Sequence, residues 1–128
     1  MSFQFSTTAR NAALDAIETA IGASAVLKIR SGSAPADCGT ADSGTVLATL
    51  NLPSDWLAAA SGGSKSKSGT WEDTSADAAG TAGHFRIYAS NGTTCHMQGT
   101  ITATGGGGDM TLDNTSIASG QQVTITSF

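Results

Sequence analysis

The sequence predicts a mainly β protein: a β-sandwich of jelly-roll type, built from about eight short strands, with one α-helix attached at the N-terminus. Three observations carry that prediction. His84-Phe85-Arg86-Ile87-Tyr88 alternates large apolar and polar side chains with period two, which marks a strand with one face in a core. Asn91-Gly92 follows at once, a pair that tolerates positive φ at both positions and favours a tight hairpin, and residues 94–101 supply the returning strand. Further short alternating runs recur along the chain, separated by Gly-, Ser- and Asn-rich turns. The chain reads as one domain over 1–128, with an N-terminal arm and helix in 1–22 and the sandwich in 25–128.

Residues 1–5 alternate Phe3 and Phe5 with polar neighbours and suit a short edge strand or a docking arm. Residues 7–21 are the one convincing helix. Ala13, Leu14, Ile17, Ala20 and Ile21 recur at three- and four-residue steps as a narrow, alanine-rich stripe; Ser6, Thr7 or Thr8 can cap its start and Gly22 its end. Asp15 and Glu18 are expected on its solvated face. Residues 25–31 and 45–52 read as strands around a polar loop that contains Pro35 and Cys38, and Pro53 ends the second. Residues 54–68 are the least strand-like part: Trp56-Leu57 opens an apolar stretch, and the Ser/Gly/Lys tract behind it is expected to be mobile or ordered by a partner. Strands are expected again at residues 69–72, at 109–113 after a four-glycine turn, and at 121–128.

Only 12% of the residues are charged, against roughly 25% in a typical domain, and Ser, Thr, Ala and Gly take their place. Such a surface fits a subunit covered by neighbours better than a free-standing enzyme. The net charge is −4 and the six cationic residues form no stripe, so no nucleic-acid partner is expected. No run of 18 apolar residues and no signal-peptide arrangement is present, which predicts a non-membrane protein made in the cytoplasm. That origin argues for free thiols at Cys38 and Cys95, oxidised only after release; were they to pair, the loop they close could contribute about 4 kcal/mol.

Catalytic chemistry finds no constellation. Cys95 and His96 are adjacent on a strand, so their side chains leave on opposite faces and make neither a catalytic pair nor a shared metal site. His84, the other histidine, reads as a strand residue beside a turn. Asp73-Thr74-Ser75-Ala76-Asp77 starts like a calcium loop, but Ala78 stands where glycine is needed and His84 where a bidentate glutamate should be. These aspartates read as turn caps. Gly105 to Gly108 lead into a strand without Gly-Lys-Ser/Thr, unlike a phosphate loop. No catalytic, cofactor or metal-binding residue is assigned.

Four segments, TARNAALDAIETAIG, LKIRSGSAPAD, DTSADAAGTAGHFRIYASNGTT and LDNTSIASGQQVTITSF, resemble a family of small virion proteins encoded among the structural genes of tailed bacteriophages. The resemblance implies a capsid decoration (cement) protein of jelly-roll type, made in the host cytoplasm and placed on the virion's capsid surface. It also implies no enzymatic activity and no cofactor, binding to the major capsid protein, and a homo-oligomer, dimer or trimer. Under that reading Phe3, Phe5, Leu14, Ile17, Ile21, Trp56 and Leu57 are the candidate contact residues. Nothing in the resemblance implies a disulfide between Cys38 and Cys95. A carbohydrate- or receptor-binding module using Trp56, Trp71 and Tyr88, or a tail-tube or head–tail joining protein, are the alternatives.

Overall fold

A computed structural model describes residues 3–128. It is mainly β with one helix: α1 (Thr7–Ile21), β1 (Val26–Ser31), β2 (Val46–Asn51), β3 (Trp71–Asp73), β4 (Gly80–Tyr88), β5 (Cys95–Ala103), β6 (Met110–Leu112), β7 (Ser116–Ile117) and β8 (Val123–Ile125). The expected helix and about eight strands are present. They form a curled, half-barrel-like mixed sheet in the order β2-β1-β4-β5-β6, with β7 on the start of β4, and a separate two-stranded ribbon of β3 and β8. The Met1–Ser2 part of the expected edge strand lies outside the described residues. Residues 3–5 take no strand conformation.

The central hairpin forms as its residues dictate. Asn91 Oδ1 accepts the amides of Thr93 and Thr94 at 2.9 and 3.0 Å, and Gly92 takes φ 71°. Thr94 then closes the turn through the Ala89 amide at 3.0 Å. β4 pairs with β5 on one side and β1 on the other, so it sits in the middle of the sheet. One face of this sheet builds the apolar core: Leu27 and Ile29 from β1, Phe85 and Ile87 from β4, Leu47 from β2 and Ile101 from β5 are buried. The β3–β8 ribbon contributes Trp71, Val123 and Ile125 to the same cluster. Trp56, Trp71, Phe128 and Phe85 run through it as a chain of ring contacts, 5.2–5.9 Å between centroids.

Alternation with one face in the core predicts a solvated opposite face, and there the structure differs. Arg30, Arg86, Tyr88 and His84 are all buried on it, because residues 32–45 fold back across the sheet. Asp42 on that loop accepts Arg30 Nη2 at 2.9 Å, Arg86 Nη1 at 2.6 Å and the Tyr88 hydroxyl at 2.7 Å. Arg86 also donates to the carbonyls of Asp37 and Thr40 and to Gln98 Oε1. Five guanidinium donors can stay buried only when their acceptors are this complete. Cys38 and Cys95 are joined as a disulfide, Cα atoms 5.2 Å apart, which ties the loop to the start of β5 in place of the expected free thiols.

β6 lies parallel to β5 although only six residues connect them. A parallel return normally needs a much longer crossover. Glycine makes the short one feasible: a Cβ at Gly106 or Gly108 would meet Thr102 at 2.7 or 2.9 Å, and Gly105 and Gly107 take positive φ. Asp109 then locks the return, accepting the Thr100 amide at 2.9 Å and its hydroxyl at 3.0 Å. Those two bonds hold its carboxyl below the usual range.

Candidate contact surface

The helix begins where Ser6 Oγ accepts the Ala9 amide at 3.1 Å and ends on Gly22, whose amide returns to the Glu18 carbonyl at 2.8 Å. Which face it buries is the surprise of the fold. Asn11, Leu14, Asp15, Glu18 and Ile21 turn toward the body, while Ala13, Ile17 and Ala20 of the expected apolar stripe are exposed.

Polar groups do the docking. Lys65 Nζ lies 2.6 Å from Asp15 Oδ1 and 2.8 Å from Glu18 Oε2, with its own side chain only 5% exposed. Asp15 also accepts the Ala60 amide and Asn11 the Gly63 amide, both at 2.9 Å. The Lys65 bond, joined by the Ala60 amide, holds the Asp15 carboxyl below its ordinary value. Burial would lower the Lys65 ammonium, but the two carboxylates outweigh it and raise it. Asp15 and Glu18 therefore form a latch, not a solvated face.

The Ser/Gly/Lys tract is correspondingly ordered. It folds as a small hairpin, with Ala58 and Ser66 bonded through the backbone at 2.8 Å and a tight turn between Ser61 and Ser64. The hairpin buries Trp56 and Leu57 under it, and Trp56 Nε1 donates to the Gly22 carbonyl at 2.9 Å. Trp56, Leu57 and Ile21 are thus core residues of this chain, a correction to their expected role as contact residues. Each fills the space between helix, hairpin and sheet and leaves no surface for a partner.

The remaining candidates converge. Phe3 and Phe5 are 85% and 59% exposed and Ile17 is 42% exposed, with Leu14 half-buried beside them. Phe5, Ala9, Ala13 and Leu14, with Arg10 and Gly63, wall a largely apolar hollow of about 320 Å³. The outward helix face, Thr8, Ala9, Ala12, Ala13, Ala16, Ile17, Thr19 and Ala20, is uncharged except for Arg10 at its edge. The helix's ionic groups are all engaged inward or, for Arg10, with the Phe5 carbonyl and the Thr7 hydroxyl. Alanines let another surface approach closely, and a face with a single charge at its edge loses little on desolvation.

Elsewhere the side chains are structural. His84 Nδ1 meets the Gly32 carbonyl at 2.9 Å and faces Thr100 across the hairpin, away from Cys95 and His96. Asp73 caps the Thr49 and Ser75 amides, and Asp77 accepts the Thr49 hydroxyl. Among the described residues no group of three His, Cys, Asp or Glu could hold a metal. Among those residues, too, no helix is long and apolar enough to cross a membrane. Trp56, Trp71 and Tyr88, the aromatics considered for a sugar platform, are fully buried. No protein-family model, curated protein or solved structure matches this chain.

Proposed function

We propose that this chain is a non-enzymatic capsid decoration protein of a tailed bacteriophage. In this reading it is made in the host cytoplasm and binds the major capsid protein on the virion surface as a dimer or trimer. The observation that carries the proposal is the exposed, alanine-rich face of α1, from Ala9 to Ala20, whose one charge is Arg10 at its edge. A helix fastened to its own body by salt bridges, with its apolar side outward, suits docking of that side elsewhere. Symmetry would repeat the contact around the shell, so a modest surface could give tight overall binding. The jelly-roll sandwich belongs to the same proposal, with the β3–β8 ribbon as its second layer against the curled sheet. The buried indoles and phenol argue against the carbohydrate-binding alternative.

Co-sedimentation with head shells that lack the protein tests it. The chain should pellet with shells, and the paired change Ala13→Glu with Ile17→Glu should weaken binding by tenfold or more while the fold melts unchanged. Undiminished binding would remove α1 as the contact surface. Association with tail tubes in place of shells would favour the joining-protein reading.

A further inference from the structure

The curled sheet does not close. Among the described residues β6 has β5 on one side and no strand on the other, and β8 has β3 on one side and none on the other. β3 in turn packs beside β2 without pairing to it, and at the far ends of the two sheets the β6 and β8 edges flank a gap. The gap is a groove. A hollow of about 110 Å³ is walled jointly by Thr111, Leu112 and Asp113 on one side and Thr124, Ile125 and Thr126 on the other. It continues into a second hollow of about 400 Å³ that reaches Phe128. Both edges alternate in phase: Met110, Val123 and Ile125 are buried, and Thr111, Thr124 and Thr126 are exposed.

An edge pair of this kind is a template for an added strand. We propose that the groove between β6 and β8 takes the N-terminal arm of a second copy of this chain, closing the half-barrel by arm exchange. The arm has the matching pattern, with Phe3 and Phe5 separated by Gln4 and preceded by Ser2. Set in the gap, its phenylalanines would face Met110 and Phe128 while Gln4 between them would join the outer threonines. The facing edges are three residues long, Met110–Leu112 and Val123–Ile125, and a four-residue arm at about 3.3 Å per residue spans them.

Residues 2–5 carry no charge, so their entry meets no repulsion from a chain of net charge −4. Among the described residues the ring partner of each arm phenylalanine is the other one, at 4.9 Å. The chain's own arm is turned to α1, where Arg10 donates to the Phe5 carbonyl at 2.8 Å, so the strand is supplied in trans. The exchange rests on the dimer or trimer of the proposed function, gives Phe3 and Phe5 to the contact between copies and leaves the shell contact to α1; it is tested without any shell.

Light scattering should give a discrete dimer or trimer for the full chain and a monomer for a chain truncated to start at Ser6, both with the same circular dichroism and cooperative melting. A synthetic peptide of residues 1–6 added to the truncated chain should shift amide resonances within residues 109–113 and 123–127. A peptide carrying Phe3→Ser and Phe5→Ser should bind at least tenfold more weakly. A full chain that is monomeric, an oligomer that survives truncation, or peptide shifts that miss both edges or fall on α1 would overturn the assignment.

Discussion

Asp42 gathers Arg30, Arg86 and Tyr88 on two oxygens, and among the described residues it is the one carboxylate paired with those buried guanidinium groups. Asp42→Ala should cost about 2–3 kcal/mol in urea denaturation, because it leaves two buried cations without their counter-charge. Burial alone would raise the Asp42 carboxyl; the Tyr88 and Arg86 hydrogen bonds and the nearby Arg30 charge outweigh it and hold it low. A folded value below the unfolded one gives stability that is complete above about pH 4 and lost as pH falls through the folded value. The acid limb of the stability curve should therefore flatten in Asp42→Ala. Little of this was legible in the sequence. Lys28, Arg30 and Arg86 alternate with apolar residues as on any solvated strand face, and only the return of residues 32–45 turns that face into an interior.

At the scale of the element, α1 shows what periodicity can and cannot tell. Its span and caps were legible, since Ser6 and Gly22 are unambiguous local signals. The face it buries was not, because the partner that selects it, Lys65, lies 50 residues downstream of Asp15. Lys65→Met should leave Asp15 and Glu18 unpaired and loosen the helix. Amide exchange within α1 should then rise about tenfold while that of β1 and β4 stays unchanged. Equal acceleration in the sheet would mean that the helix is not separately latched. The hairpin behind Trp56 was illegible for a related reason. A Ser/Gly/Lys tract has no apolar pattern of its own, and it is ordered by backbone pairing and by the helix it grips. The four-glycine turn was legible as a turn but not as a parallel return, which depends on glycine's close approach to Thr102.

At the scale of the molecule, two fastenings hold a thin-walled fold together: the apolar core on one side of the sheet and the stapled loop on the other. The Cys38–Cys95 bond spans 57 residues, so reducing it should lower the unfolding free energy by about 4 kcal/mol in the chain-entropy picture. Denaturant midpoints with and without reductant measure this; an unchanged midpoint would mean that the constraint does not act on the unfolded chain. The helix and seven of the eight strands were legible from alternation and turns; β7, a two-residue pairing with no alternating run of its own, was not. The open seam between β6 and β8 was not, since strand order is set by contacts far apart in sequence.

The same disulfide gives the chain a property that concerns proteases. The tip of the Trp56-bearing hairpin, at Gly62 and Gly63, is exposed to half-exposed and lies between the two bridged cysteines. A single cut there divides the polypeptide without dividing the molecule. One piece keeps α1, β1 and β2, the other keeps β3 to β8, and the sulfur bridge holds them as one particle. Such a nick would be silent on a non-reducing gel and would separate two fragments on a reducing one.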